Sequence, residues 1–182
     1  MKRLPATTAA ALCLIGAPVL AALPVGATAP EFTAPGYQGG KPLTFDLAGA
    51  LKKGPVVLYF FPAAHTGGCN LEAHLFADAI DQFHALGATV IGVTAGNIDQ
   101  LAAFSAETEH CSGKFPVAAD PSLSIAKSYK ATLLVRPGWS DRTSYVIAPG
   151  GKIILAYSNL GADHHVEQTL AAVKAWRAAH PG

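Results

Sequence analysis

One short segment collects the residue types that make a reactive thiol: Phe60-Phe61-Pro62-Ala63-Ala64-His65-Thr66-Gly67-Gly68-Cys69-Asn70-Leu71-Glu72. Cysteine reacts as its thiolate, so the chemistry depends on whether its surroundings favour negative charge. Gly67 and Gly68 let the backbone approach a small ligand with no Cβ in the way. Thr66, three residues before Cys69, can aim its hydroxyl at the sulfur or at an oxygen bound beside it. Arg142 opens the run Arg142-Thr143-Ser144-Tyr145-Val146-Ile147. Its guanidinium is always charged and presents several donors in one plane.

The elements around this segment must position it. Pro55-Val56-Val57-Leu58-Tyr59-Phe60-Phe61 is a continuous apolar, β-branched and aromatic run, too short for a helix and ended by Pro62, which predicts a buried central strand. From Asn70 onward Leu71, Leu75, Phe76, Ala79, Ile80, Phe83 and Leu86 recur at helical spacing, with Glu72, Asp78, Asp81 and Gln82 elsewhere. Cys69 is therefore expected in the first turn of a long helix, just past the carboxyl end of a central strand, where open α/β sheets place their sites. Unpaired N–H groups at that helix start favour thiolate over thiol.

The pattern repeats downstream. Ala88 to Thr94 predicts a second buried strand, Asn97 or Asp99 opens a helix running toward His110, and Phe115 to Ala119 is a short strand. Asp120-Pro121 caps a helix through Ile125 and Tyr129. Thr143 to Ala148, the turn Pro149-Gly150-Gly151 and Lys152 to Ser158 make a hairpin, and a last helix covers about Val166 to Ala179. Pro30 to Pro42 reads as loops and turns with room for a short hairpin. Alternating βα units that end in a hairpin and a helix predict a mixed central β-sheet flanked by helices on both faces.

The chain has 182 residues, 51% hydrophobic and 14% charged, which suits one globular domain and excludes disorder, collagen-like repeats and coiled coils. Lys+Arg 13 against Asp+Glu 12 leaves no basic field for a phosphate backbone, so no nucleic-acid partner is expected. Met1-Lys2-Arg3, followed by an uncharged run from Ala9 to Leu20 and then small residues, reads as a secretory leader and is too short for a membrane span. The expected division is a leader over 1–21, removed near Val19-Leu20-Ala21, and one domain over 22–182, periplasmic or secreted and without a membrane anchor. Without Lys2 and Arg3 the basic count falls from 13 to 11 against 12 acidic residues, a charge of −1. Cys13 leaves with the leader, so Cys69 and Cys111 remain. In an oxidising compartment two cysteines are most often a structural disulfide, and that reading of Cys111 stands beside a reactive one.

The spacing Pro62-x-x-x-Thr66-x-x-Cys69 resembles the peroxidatic motif of the peroxiredoxins. Val25-Gly26-Ala27-Thr28-Ala29-Pro30-Glu31-Phe32 is similar to that family's opening segment, Pro55 to Pro62 to its central strand, and Arg142 to Ile147 to the strand that brings its active-site arginine. The likeness runs over essentially the whole chain after the leader and points to the exported, Q-type or bacterioferritin-comigratory-protein-like branch. It implies a thioredoxin-like fold that reduces hydrogen peroxide or organic hydroperoxides through Cys69, with no metal or bound cofactor. Arg142 would stabilise the departing oxygen, Pro62 shield the sulfur, and Thr66 hold the peroxide. Gly68 and Glu72 would complete the substrate-binding set, Glu72 by orienting Arg142. The sulfenate would be resolved by Cys111, 42 residues on, as an intramolecular disulfide. In the commoner Q-type arrangement the resolver lies five residues after the peroxidatic cysteine, and His74 stands there instead. A thioredoxin-like dithiol protein would restore the thiols, and the state expected is a monomer or weak homodimer.

Plainer readings stand beside these. Thr66 also suits a simple helix N-cap, Glu72 a solvated helix residue, and Arg142 a surface charge. Trp139 reads as a loop aromatic. Among the histidines, Cys69 and His74 lie off one helical face and His164-His165 point in opposed directions, so their spacing does not make a metal site. A dithiol oxidoreductase would need Cys-x-x-Cys, where this chain has Cys69-Asn70-Leu71-Glu72. The remaining alternative is an exported copper-handling module of the same fold that uses Cys69, since a soft thiolate suits Cu(I).

Overall fold

The computed structural model describes residues 22–181, so the predicted leader and Cys13 lie outside the described residues. The Pro- and Gly-rich opening does form a hairpin: β1 (Thr33–Gln38) pairs antiparallel with β2 (Lys41–Asp46). Gly39 and Gly40 make its turn at φ +57° and +75°, the two consecutive left-handed residues that a tight hairpin matched to strand twist requires. Asp46 then caps the short α1 (Leu47–Leu51), its Oδ2 accepting from the Gly49 amide at 3.0 Å.

β3 (Val56–Phe60) is buried along its whole length, as a strand covered on both faces must be. It lies between β4 (Thr89–Thr94), which runs parallel to it, and β6 (Thr143–Ile147), which runs antiparallel. With β5 (Val117–Ala119) and β7 (Ile153–Ser158) the sheet has seven strands in the order β2-β1-β5-β4-β3-β6-β7. Alternation along β3 feeds two cores. Val57, Tyr59 and then Phe61 join Phe76, Phe83, Phe104, Phe115, Leu170 and Val173 on one face, beneath α2 (Gly67–Ala85), α3 (Leu101–Ala106) and α5 (His165–Ala179). Val56, Leu58 and Phe60 join Leu47, Ile125, Tyr129 and Tyr145 on the other, beneath α1 and α4 (Ser124–Ser128). No helix among the described residues is long and apolar enough to cross a membrane.

Three sequence expectations change. The helix predicted from Asn97 toward His110 is a 3-10 turn (Ile98–Gln100) followed by only six residues of α3. Asn97 is left-handed at φ +52° because its amide reaches back to donate to the Ala64 carbonyl at 2.8 Å, and Glu107 turns extended and ends the helix. Cys111 therefore lies in a turn beyond α3, not at a helix end, and Ser112 and Gly113 follow it in left-handed conformations. On α2, Leu71 is 43% exposed. Glu72 has no exposure and takes a place on the buried face with Cys69, Ala73, Phe76 and Ile80, so its reading as a solvated residue is overturned. Arg142, 4% exposed, is likewise no surface charge.

Candidate active site

α2 starts at Gly67 with Thr66 as the N-cap residue, which places Cys69 in the first turn as the spacing predicts. Its sulfur is buried, together with the thiol of Cys111, against the α2 side of the sheet. Thr66 is extended at φ −112°, ψ 143°, yet its hydroxyl does not cap the helix. It donates to the Ala63 carbonyl at 3.0 Å, which leaves its oxygen lone pairs free to accept. Pro62 is half-buried, and its carbonyl accepts from the Thr94 hydroxyl at 3.0 Å. A Cβ on Gly96 would lie 2.3 Å from that same carbonyl, so only glycine lets β4's exit pass the Pro62 loop.

Arg142 enters from the start of β6, and all three of its guanidinium nitrogens are engaged. Nη2 donates to Cys69 Sγ at 3.4 Å, Nη1 to Glu72 Oε2, and Nε to the Leu160 carbonyl at 2.9 Å. A Cβ on Gly68 would come within 3.0 Å of Nη2, so the second glycine makes room for the arginine over the sulfur. Burial opposes the Arg142 charge, but Glu72 and Cys69 outweigh it and raise its pKa. Burial pushes the Glu72 carboxyl up to about 8, against the pull of Arg142. A guanidinium thus stands over one buried sulfur in the first turn of a long helix.

Other members of the site were invisible to sequence reasoning. His165, at the start of α5, donates from Nε2 to the Asn159 carbonyl at 2.9 Å and accepts at Nδ1 from the Ser144 hydroxyl at 2.7 Å. The same Nδ1 lies 3.5 Å from Glu72 Oε1, an oxygen with no hydrogen-bond partner. Behind Arg142, then, stand a carboxylate, an imidazole and a hydroxyl in series. Ser144, a polar residue two places beyond Arg142 on a fully buried strand, was the available signal. Trp139, half-buried, is covered by the Arg136 guanidinium at 3.3 Å from its ring centroid. Burial pushes the Tyr59 hydroxyl far up, with Cys111, Glu72 and Cys69 adding to the effect.

Comparison with known proteins agrees with this geometry. The AhpC/TSA family matches residues 25–156. A chloroplastic Peroxiredoxin Q of Sedum lineare is 28% identical over 153 residues, covering 84% of this chain and 78% of that protein. The Peroxiredoxin Q of Arabidopsis thaliana is 30% identical over 151 residues, covering 82% and 67%. Among solved structures, Peroxidoxin BcpB from Mycobacterium tuberculosis superposes with a TM-score of 0.71 at 30% identity, covering 83% of this chain and 96% of that one. The 2-Cys peroxiredoxin of Plasmodium vivax, at 22% identity and TM-score 0.75, covers 87% and 99% and shares the fold. The copper-carrier alternative finds no support among these relatives. With the Cys69 motif at the head of α2 and the guanidinium above its sulfur, the chain belongs to the AhpC/TSA family of peroxiredoxins, thiol-dependent peroxidases of thioredoxin-like fold.

Proposed function

We propose that Cys69 is the peroxidatic nucleophile and Cys111 its resolver. The observation that carries this is the Arg142 guanidinium 3.4 Å from a buried sulfur in the first turn of α2. The Cys69 thiolate attacks one peroxide oxygen; an S–O bond forms, the O–O bond breaks, and the departing hydroxide or alkoxide takes up a proton. Arg142 and the helix-start amides face the charge that builds on that leaving oxygen. The Thr66 oxygen accepts from the peroxide O–H, Pro62 shelters the sulfur, and Glu72 holds Arg142 in place. The Cys111 thiol then attacks the Cys69 sulfenic acid, releasing water and forming a disulfide. A thioredoxin-like dithiol protein reduces that bond.

Burial pushes the Cys111 thiol well up, so it does not compete for peroxide while it is folded away. A disulfide needs its Cα atoms within about 7 Å, which the family meets by unwinding the segments that hold the two thiols. The turn carrying Cys111 is suited to this, because its own backbone bonds reach only nearby residues, Ser112 N to Glu107 O at 3.0 Å and Lys114 N to Cys111 O at 3.0 Å, with one long-range tie from Gln38 Nε2 to Gly113 O at 3.1 Å. The leader reading places the enzyme in the periplasm or outside the cell, as a monomer or weak homodimer, where the donor is an exported dithiol protein.

Intact-mass spectrometry tests the assignment. After one equivalent of hydrogen peroxide the reduced protein is expected to lose two hydrogens, and Cys111→Ser is expected to gain oxygen on Cys69. Oxygen on wild-type Cys69 with no internal disulfide removes Cys111 from the cycle. Oxygen on Cys111 overturns the assignment altogether. A milder change probes Arg142: Gly68→Ala presses a methyl on Nη2 and is expected to slow peroxide attack roughly tenfold, the worth of weakening one charge-assisted hydrogen bond. An unchanged stopped-flow rate would show that Nη2 does not act.

A further inference from the structure

Folding gathers three side chains that the sequence keeps apart. His65 Nε2 lies 3.0 Å from Glu107 Oε2, His110 Nδ1 lies 2.8 Å from the same oxygen, and the three donor atoms fall within 4.8 Å of one another. His65 belongs to the loop between β3 and α2, four residues before Cys69. Glu107 and His110 belong to the turn beyond α3, and His110 adjoins Cys111. Spacing arguments over neighbouring histidines could not find this set, because a 42-residue separation joins His65 to Glu107.

The donor geometry asks for positive charge at the centre. His65 Nδ1 lies 2.8 Å from Gln100 Oε1, an oxygen that only accepts, so Nδ1 carries the hydrogen. Nε2, the ring's other nitrogen, faces a carboxylate oxygen at 3.0 Å, so a proton or a cation must stand between them. His110 is 7% exposed, and its Nδ1, aimed at that oxygen, finds no partner in hydrogen-bond geometry. Two imidazole nitrogens and a carboxylate oxygen thus converge, and a cation at their centre satisfies all three.

The rings are also held. His110 stacks on Phe104 with centroids 4.9 Å apart at 21° and stands edge-on to His65 at 5.2 Å. The Gln100 bond to the far nitrogen of His65 is the kind of outer contact that fixes a ligating imidazole. The side chains of His65 and Glu107 are 28% and 46% exposed, which leaves a way in and a free position for water.

We propose that His65, Glu107 and His110 bind a divalent cation of the zinc type, and that the bound ion pins the Cys69 loop to the Cys111 turn. Two nitrogens and one carboxylate oxygen, with water as the fourth ligand, match zinc's preferences. The site contains no cysteine, which separates it from a copper carrier built on Cys69. Its regulatory half rests on the proposed function: if the segments must part for the sulfurs to meet, a filled site slows disulfide closure and leaves the sulfenate waiting.

The test uses tag-free reduced protein and zinc buffered by a chromophoric chelator. One zinc should bind wild type, the Cys69→Ser/Cys111→Ser chain and His164→Gln alike. His65→Gln and Glu107→Gln, both folded by circular dichroism, should each weaken it by more than about 100-fold, beyond the 10–100-fold typical of an outer-contact change. Unweakened binding in those two variants, or loss in the double cysteine variant, overturns the site. Zinc at about 100 times its Kd should slow conversion of sulfenate to disulfide about 100-fold in wild type but not in Glu107→Gln. An unchanged closure rate overturns the pinning. Failure of Cys69 to gain oxygen in metal-free protein is instead a failure of the peroxidase reading, and zinc binding does not depend on it.

Discussion

Arg142→Lys is expected to slow peroxide attack by Cys69 by roughly 10²–10³-fold, the cost of removing one preorganised donor aimed at developing negative charge. Cys69→Ser supplies the zero. The loss follows from the number of donors that Arg142 uses at once: Sγ from Nη2, Glu72 from Nη1 and the Leu160 carbonyl from Nε. A lysine has one nitrogen at the end of a flexible stem and cannot reach all three. It does keep a positive charge beside Glu72, which has no exposure. An uncharged replacement would leave that buried carboxyl without its guanidinium partner and would confuse lost folding with lost catalysis. The measurement is the second-order rate constant with hydrogen peroxide by stopped-flow, alongside thermal unfolding. A folded Arg142→Lys chain that reacts at the wild-type rate would show that the guanidinium does not act on the leaving oxygen.

Much of this site was legible because it is local. Pro62, Thr66, Gly68 and Cys69 sit within one strand-to-helix connection, and the apolar run of β3 followed by the periodicity of α2 is enough to place the cysteine in a first helical turn. Arg142 was legible through its position at the head of a second apolar strand. Glu72 shows where local reading stops. A carboxylate is ordinarily solvated, and only a guanidinium arriving from residue 142 makes its burial tolerable. The same holds for His65, Glu107 and His110, whose meeting depends on α3 ending early at an extended Glu107. Helical periodicity continued past that point in the sequence, but the tertiary contacts of Asn97 and Glu107 won. Pairs that are far apart in sequence carry no periodic signal, so the chemistry they make appears only in the folded chain.

The His165–Ser144–Glu72 series behind Arg142 predicts an acid-dependent loss of stability. Burial lowers the His165 pKa from 6.5 to about 4, with Arg142 adding to the effect against the Asn159 carbonyl bond. The folded state therefore binds a proton on His165 less readily than the unfolded chain. Its contribution is fully present above pH 6.5 and is lost as pH falls toward 4. A shift of that size corresponds to about 3 kcal/mol, roughly a hundredfold in the folding equilibrium. Glu72 titrates beside it with the opposite slope: its folded value is raised from 4.5 to about 8, so its contribution is present below 4.5 and lost as pH rises toward 8. Wild-type stability alone would mix the two slopes. His165→Asn retains the Glu72 slope and sheds the other, so the difference between the two chains isolates the histidine. Urea unfolding from pH 7.5 to 4 should show wild type losing about 3 kcal/mol relative to His165→Asn. Parallel curves would mean that His165 is protonated in the folded chain. Its Nδ1 would then carry a hydrogen toward the unpartnered Glu72 Oε1 at 3.5 Å, and the support behind Arg142 would be a second ion pair instead of a neutral relay.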